Sequence, residues 1–241
     1  MSTERFFTAR AALTEALCAA LLRAIDAGIA ARGVALVGLS GGGTPLPVYR
    51  QLAEQPRDWS RVVFALVDER WVPLDHPASN ERALRQALAP ALERGARLQG
   101  MKTPASSAAE GLAACTSAYR ALPLPFDLVL LGMGEDGHIA SLFPQAQGLA
   151  TALDKTRDAP CAAITAARSA VTGECTERMT LTLAALCRAR ELALLIVGEQ
   201  KRRALAEAAA GSDVATMPVR ALLGRDAPPL TLWWAPSENR P

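Results

Sequence analysis

The residues best suited to acid–base chemistry stand in one glycine-rich segment, Gly132-Met133-Gly134-Glu135-Asp136-Gly137-His138. The sequence has only two histidines, and His138 lies in this segment with Asp136 two positions before it. A histidine can take a proton from water near neutral pH, and a nearby carboxylate can fix its tautomer or contact a substrate. His138 is therefore the candidate general base. The other histidine, His76, has no such setting and is predicted to lie on the surface.

The same segment matches the G-x-G-x-x-G pattern of dinucleotide-binding proteins. A dinucleotide-binding unit would run from Gly137 into a long helix and then into a second strand. Here Pro144 interrupts the helical pattern, and residues 145–158 lack the pattern of a strand. Dinucleotide binding is therefore not favoured.

A second glycine-rich segment, Ser40-Gly41-Gly42-Gly43-Thr44-Pro45, stands between a predicted strand and a predicted helix. Glycines let the backbone approach a ligand closely, and the N–H groups at a helix N-terminus attract anions. No Gly-Lys-Ser/Thr follows, so the segment is not a P-loop. It is predicted to bind a phosphate group, and the alternative is a tight turn between strand and helix.

Charged residues follow other predicted strands. Asp68 and Arg70 could orient a hydroxyl group and stabilise a developing negative oxygen, or they could belong to a solvated loop in which Asn80 caps a helix. Arg178 and Lys201 could complete the phosphate site, although either alone could be a solvated charge.

The elements that must position these residues alternate between strands and helices. Strands are predicted at 34–39, 62–67, 127–131, 162–166, 191–197 and 230–234, and helices at 11–31, 44–53, 81–88, 108–121 and 200–210, with a polar loop over 68–80. The strands are continuously apolar, which favours an α/β fold with a mostly parallel, Rossmann-like sheet covered by helices on both faces. Ligands of such folds bind beyond the carboxyl ends of the strands, where the polar segments stand.

Composition narrows the function classes. The chain has 241 residues, half of them apolar, which predicts one domain over 1–241. The net charge of +2 comes without a block of like charges, so nucleic acid is not a predicted partner.

The five cysteines lack C-x-x-C spacing, which predicts buried thiols in a reducing compartment and no metal site. With no signal peptide in Met1–Arg10 and no apolar stretch long enough to span a bilayer, a cytoplasmic protein without membrane contact is predicted, as a monomer or homodimer.

Taken together, these motifs resemble the 6-phosphogluconolactonase family, within the larger group that includes glucosamine-6-phosphate deaminase and ribose-5-phosphate isomerase and that has a fold similar to the CoA-transferases. The resemblance covers nearly the whole chain and keeps its order. The segments that carry it are Ser40–Pro45, Asp68–Arg70, Ser79-Asn80, Leu131–Pro144, Glu177–Thr182 and Gly198–Lys201. Two positions depart from the usual family pattern, namely Gly43, where many members have Ser, and Glu135, where many have Pro.

The resemblance implies hydrolysis of 6-phospho-D-glucono-1,5-lactone to 6-phosphogluconate, the second step of the oxidative pentose phosphate pathway, without a cofactor. It implies that His138 activates water, that Arg70 faces the oxyanion, and that Asp68 and Asp136 hold hydroxyl groups or the histidine. The implied phosphate and substrate contacts are Ser40, Gly41, Gly42, Gly43, Thr44, Asn80, Gly134, Arg178 and Lys201.

Two alternative functions differ from lactone hydrolysis. The related amino-sugar phosphate deaminases have a catalytic glutamate where this chain has Phe143, so their chemistry would lack an acid–base group. A non-catalytic phosphosugar-binding module would have no need for His138, Asp136 and Arg70 together.

Overall fold

Continuously apolar segments form the centre of the molecule, as their hydrophobicity predicts. The computed structural model describes residues 3–169, 171–224 and 229–237. Its strands are β1 (Thr3–Phe6), β2 (Ala35–Leu39), β3 (Val62–Leu66), β4 (Asp68–Arg70), β5 (Arg97–Gln99), β6 (Leu128–Gly132), β7 (Cys161–Thr165), β8 (Glu177–Leu181), β9 (Leu192–Val197) and β10 (Leu230–Ala235). Its helices are α1 (Arg10–Arg32), α2 (Leu46–Ala53), α3 (Asn80–Ala87), α4 (Ala89–Glu93), α5 (Ala108–Arg120), α6 (Leu149–Leu153), α7 (Leu183–Cys187), α8 (Glu199–Ala210) and α9 (Arg220–Leu223).

Seven strands form the main sheet in the order β1-β10-β9-β6-β2-β3-β5, and all of its pairings are parallel. The sheet is flanked by helices, so the predicted α/β class is confirmed. From β2 the chain proceeds outward through β3 to β5, then returns to the other side of β2 as β6 and continues through β9 to β10. The direction of winding therefore reverses between β2 and β6, and at such a point the connections leave a crevice beyond the strand ends.

A second sheet of three antiparallel strands, in the order β4-β8-β7, was not predicted as a separate layer. The segment 68–80 was predicted to be a loop, but it begins with β4, whose three residues are all charged. The prediction of a loop was wrong here because pairing with β8, a contact distant in sequence, overrides the low strand propensity of Asp and Glu. The predicted strand at 162–166 exists as β7, and it lies in this second sheet.

The end of the 68–80 segment also differs from its prediction. Ser79, not Asn80, is the N-cap of α3, because its hydroxyl accepts a hydrogen bond from the backbone N–H of Arg82. Asn80 is the first residue of the helix and is buried. Because it does not cap the helix, its side-chain amide is available for other contacts.

Other differences are small. The remaining predicted elements are present with ends shifted by one or two residues, and β1, β5, β8 and the short helices α4, α6, α7 and α9 were not predicted. In the described part of the chain, none of the helices has both the length and the apolar character needed to span a bilayer.

Helix α1 is joined to the sheet through Asp127, a buried carboxylate immediately before β6. Its Oδ2 accepts from the backbone N–H of Leu36 at 2.9 Å and from the Arg32 guanidinium at the end of α1. Gly28 lies against this carboxylate so closely that a Cβ there would be 2.4 Å from Asp127 Oδ2. A single side chain therefore connects α1 to β2 and β6, and these two strands flank the crevice.

We expect Asp127→Ala to lower the free energy of unfolding by about 2 kcal/mol, because buried N–H and guanidinium groups would lose a charged acceptor. Urea unfolding measures this loss. The matched control is Asp158→Ala, since Asp158 pairs with Arg188 at 2.8 Å but is 76% exposed, and exposed pairs contribute at most about 1 kcal/mol. Equal losses in the two variants would contradict the role given to Asp127.

Candidate active site

A cavity of about 470 Å³ opens at the carboxyl ends of β2 and β6, where the winding of the sheet reverses. Both glycine-rich segments contribute to its wall, one after β2 and one after β6. The lining residues are Ser40, Gly41, Gly42, Thr44, Pro45, Asp68, Arg70, Asn80, Gly132, Met133, Gly134, Glu135, His138, Ala140, Phe143, Val171, Arg178, Leu195 and Lys201. Segments distant in sequence thus meet at the place that the strand pattern predicts.

His138 lies in the cavity wall and is held by Asp136. The imidazole Nδ1 is 2.6 Å from Asp136 Oδ1, and the same oxygen accepts the backbone N–H of His138 at 3.1 Å. An ionised carboxylate only accepts hydrogen bonds, so Nδ1 carries a proton in this pair and Nε2 of a neutral ring is left as the basic nitrogen. Partial burial raises the pKa of Asp136, but the hydrogen bonds and charge of His138 outweigh this and hold it below its usual value. Asp136 is therefore ionised near neutral pH and can hold the imidazole in this orientation.

Gly134 makes this arrangement sterically possible. A Cβ built on Gly134 would lie 2.1 Å from His138 Nδ1 and 2.4 Å from Asp136 Oδ1. No L side chain fits there without displacing the pair. This glycine is required by the contact between histidine and carboxylate, and not by a dinucleotide, because no helix follows Gly137 until α6.

The phosphate-binding candidate after β2 is shaped by a similar close approach. A Cβ on Gly41 would lie 2.0 Å from Asn80 Oδ1, so the loop lies directly against the first residue of α3. Gly42 has φ of +87°, a left-handed conformation that glycine adopts without strain. The hydroxyl Oγ of Ser40 is buried and has no hydrogen-bond partner among the described residues. A buried polar atom in a cavity wall is a position at which a bound ligand supplies the missing partner.

Two arginines are brought together by the small antiparallel sheet. Arg70 of β4 and Arg178 of β8 are opposite each other in the register. Arg178 is 4% exposed, and its guanidinium donates to the carbonyls of Cys175 at 2.7 Å and Thr172 at 2.9 Å. Burial and the neighbouring Arg70 charge lower the pKa of Arg178, against the opposing effect of Asp68. Like charges directly opposite each other are unfavourable, so this pairing favours a bound anion between or beside them.

The side chain of Arg70 is fixed by a hydrogen bond to the backbone. Its Nη1 donates to the carbonyl of Ala78 at 2.7 Å, while its Nε is buried without a partner in the described part of the chain. The guanidinium thus has one donor fixed on the protein, and the side chain to which it belongs lines the cavity.

Phe143 forms an aromatic wall beside the catalytic candidate. Its ring centroid is 4.2 Å from that of His138, and the Arg178 guanidinium carbon is 5.2 Å from the Phe143 centroid. The side chain is 4% exposed. Phe143 restricts rotation of the imidazole and makes a cation–π contact with the Arg178 guanidinium.

Asp68 is buried and restrained from two directions. Its Oδ2 accepts from Ser141 Oγ at 2.6 Å, and Asn80 Nδ2 donates to its backbone carbonyl at 2.9 Å. Ser141 reaches Asp68 because Ala140 turns the chain with φ of +48°, an unusual conformation for a residue with a Cβ. The segment from His138 to Ser141 therefore contributes the imidazole to the cavity and also holds the Asp68 carboxylate.

Lys201 lies near the start of α8 in a partly buried position. Burial lowers its pKa, and the carboxylates of Glu135 and Asp136 oppose this effect. Glu135 in turn accepts a hydrogen bond from Gln200 at 2.6 Å. Lys201 therefore adds a third cation to the cavity, on the side of the His138 segment.

Almost all of the predicted site residues line one cavity, with two exceptions. Asp136 lies behind His138 and contacts it, and Gly43 does not line the cavity, so its phosphate contact stays a prediction. Sequence reasoning missed Glu69, Ser141 and Phe143 as parts of the site. Ser141 contacts Asp68 across 73 positions of sequence, while Glu69 contacts residues 79–81 and Phe143 packs on His138. Nothing in the local sequence indicated these contacts.

Comparison with known proteins places this geometry in a family. The model of the family described as glucosamine-6-phosphate isomerases/6-phosphogluconolactonase matches residues 8–233. The chain belongs to this family.

Individual members are similar along nearly their whole length. The 6-phosphogluconolactonase of Rhizobium meliloti (strain 1021) is 41% identical over 225 residues, which are 93% of this chain and 95% of that protein. The 6-phosphogluconolactonase of Pseudomonas aeruginosa is 38% identical, covering 91% of this chain and 89% of that one. The crystal structure of a 6-phosphogluconolactonase from Shewanella baltica OS155 superposes with a TM-score of 0.90 at 34% identity and covers 98% of both chains.

We expect Gly134→Ala to abolish most of the family's activity while the protein stays folded, because the added methyl group occupies the position of His138 Nδ1. A displacement of the imidazole by about 1 Å is enough for a loss on the order of 10²-fold. The turnover rate and the circular dichroism spectrum measure the two parts of this prediction. Gly224→Ala is the control, since a Cβ there meets no atom of the described residues within 4 Å. An active Gly134→Ala protein would contradict the geometry.

Proposed function

We propose that this chain hydrolyses 6-phospho-D-glucono-1,5-lactone to 6-phospho-D-gluconate and that the cavity after β2 and β6 is where it does so. The observation that carries the proposal is a histidine oriented by a carboxylate, His138 with Asp136 at 2.6 Å, in one cavity with three cationic side chains. Membership in the family and the similarity to several 6-phosphogluconolactonases support the same reaction.

In the proposed reaction His138 Nε2 takes a proton from a water molecule while the water oxygen attacks the lactone carbonyl carbon. Asp136 stabilises the imidazolium that results. Arg70, whose side chain lines the cavity, faces the negative oxygen of the tetrahedral intermediate. The intermediate collapses by breaking the bond to the ring oxygen, and the imidazolium returns its proton to that oxygen. The product is an open-chain hydroxy acid.

The remaining polar groups divide between the phosphate and the sugar hydroxyls. Ser40 Oγ, the backbone of Gly41–Thr44, Arg178 and Lys201 are proposed to receive the phosphate, and Gly43 belongs to this loop. Asp68, restrained by Ser141 and Asn80, is proposed to accept a sugar hydroxyl. Fixing the phosphate far from the carbonyl orients the ring and lowers the entropic part of the barrier. A lactone is an activated ester, so a base and an oxyanion partner suffice without a cofactor.

Deamination of an amino-sugar phosphate is less well supported by the same cavity. The glutamate that such chemistry uses is replaced by Phe143, whose ring is 4.2 Å from His138. Among the described residues that line the cavity, the carboxylates are Asp68 and Glu135, and neither takes the place of that glutamate.

The proposal also includes the cellular setting. All five cysteines are free, and Cys115 and Cys161 remain thiols although their sulfur atoms are 3.6 Å apart. Such thiols fit a reducing compartment, which supports the predicted cytoplasmic location. The predicted monomer or homodimer stays a prediction.

We expect the purified protein to open freshly generated 6-phospho-D-glucono-1,5-lactone much faster than the spontaneous reaction, and His138→Ala to lower kcat by about 10²- to 10⁴-fold. The affinity for 6-phosphogluconate should change little, because the phosphate contacts lie elsewhere. Coupled spectrophotometry with calorimetric titration of the product measures both. Lactone loss no faster than in buffer would rule out the enzymatic function.

Lys201 provides a pH test of the phosphate site. Its lowered pKa means that the ammonium loses its proton at a lower pH than an ordinary lysine, for which the pKa is about 10.4. The affinity for 6-phosphogluconate should therefore weaken as pH rises into the alkaline range below that value. Lys201→Arg should remove this pH dependence, because arginine stays protonated. Equal pH dependence in both proteins would exclude Lys201 from the phosphate contact.

A further inference from the structure

Glu69 is a buried carboxylate that does not line the cavity. It is 1% exposed and stands between Asp68 and Arg70, which do line it. Four donors surround it. Oε1 accepts the backbone N–H groups of Arg70 at 2.8 Å and Asn80 at 2.7 Å, and Oε2 accepts from Ser79 Oγ at 3.1 Å and the backbone N–H of Glu81 at 2.7 Å.

These bonds join two elements that are separated by the chain between Trp71 and Ala78. One oxygen bridges the backbone of Arg70 in β4 and that of Asn80 at the start of α3. The Arg70 side chain reaches the same region, since its Nη1 donates to the carbonyl of Ala78 at 2.7 Å. Arg70 is therefore attached to residues 78–80 from its backbone and from its guanidinium.

The position of Arg70 needs such an attachment. It stands opposite Arg178 in the β4–β8 register, so the two cations repel each other. A three-residue strand offers few ladder hydrogen bonds to resist that repulsion. The carboxylate of Glu69 adds both a hydrogen bond and a negative charge on the backbone side of Arg70.

We propose that Glu69 is a positioning residue for the lactonase reaction, which anchors the backbone of Arg70 to the N-terminus of α3 and so holds its guanidinium at the oxyanion. This inference rests on the oxyanion role proposed for Arg70. Glu69 itself touches no reacting atom.

The hydrogen bonds of Glu69 agree with a positioning role. Burial raises its pKa, and the backbone N–H groups of Glu81, Asn80 and Arg70 act against this. With all four donors directed at its two oxygens, the carboxylate has no contact with the water that the reaction consumes.

Three variants test the anchor. Glu69→Ala removes the bridging oxygen, and we expect kcat to fall by about tenfold or more while KM changes by less than about threefold, because the displaced group acts in the transition state. Glu69→Gln keeps an amide oxygen that can bridge Arg70 and Asn80, but its NH₂ group then faces the backbone N–H of Glu81 and the charge is lost, so kcat should lie between those of Glu69→Ala and the unaltered protein. Should Glu69→Ala not fold, Glu69→Asp, whose carboxylate is drawn back by one methylene, is measured in its place with the same expected loss.

Glu81→Ala is the matched control. Glu81 is likewise a buried carboxylate, but it lies in the first turn of α3 and its side chain pairs with Arg85 at 2.7 Å. The control variant removes a similar group from the helix that Glu69 contacts, and it should leave kcat within about twofold. A loss in Glu81→Ala equal to that in Glu69→Ala, or an unchanged kcat in Glu69→Ala, would overturn the inference.

A double-mutant cycle with Arg70→Ala shows whether the effect passes through Arg70. The double variant Glu69→Ala/Arg70→Ala should have the kcat of Arg70→Ala alone, and losses that multiply would overturn the inference. The two failures differ. If Arg70→Ala keeps its kcat, the oxyanion role in the proposed function is wrong, whereas a slow Arg70→Ala with a fast Glu69→Ala removes only the anchor.

Discussion

The parallel pairing of β2 with β6 determines where every group of the site can lie. Its register places Gly38 opposite Val129 and Leu39 opposite Leu130, and the ladder continues into the backbone N–H of Ser40, which donates to the carbonyl of Leu130 at 3.1 Å. A Cβ on Gly38 would lie 3.0 Å from the Val129 side chain, so a small residue is needed at this contact. The two glycine-rich loops leave the sheet side by side because the two strands end together.

The second sheet supplies charged side chains that the main sheet lacks at the cavity. The central strands are apolar along almost their whole length, and the charged side chains come from loops, from the small antiparallel sheet or, for Lys201, from α8. Its strands β4 and β8 bring Arg70 opposite Arg178, an arrangement that costs stability in the free protein and gains from an anion. The main sheet thus forms an apolar support. The second sheet carries the two arginines, whose mutual repulsion lies at the cavity.

Much of this could be predicted from the sequence, for identifiable reasons. Continuous apolar runs predict buried parallel strands, and glycine-rich segments directly after them predict loops at the carboxyl edge, which is how the loop after Leu39 and the segment around His138 were found. Residues whose role depends on local spacing, such as Asp136 beside His138, could be found in the same way.

What could not be predicted depends on contacts between distant segments. Nothing local in Asp68-Glu69-Arg70 indicates a strand, because its partner is more than a hundred residues away in β8. The same holds for Ser141, which reaches Asp68 across 73 positions of sequence, and for the reason that Gly41 lacks a side chain, which is the amide of Asn80. Spacing shows which residues can do chemistry, and tertiary contacts decide which of them are held still.

The placement of β9 has a consequence for synthesis of the protein on the ribosome. This strand pairs with β6 on one side and with β10 on the other, and Lys201 follows it at the start of α8. Arg178 and Lys201 are therefore synthesised after both glycine-rich loops. The charge of the cavity is complete only when these later elements have been added, so no fragment ending before β9 can present the whole site.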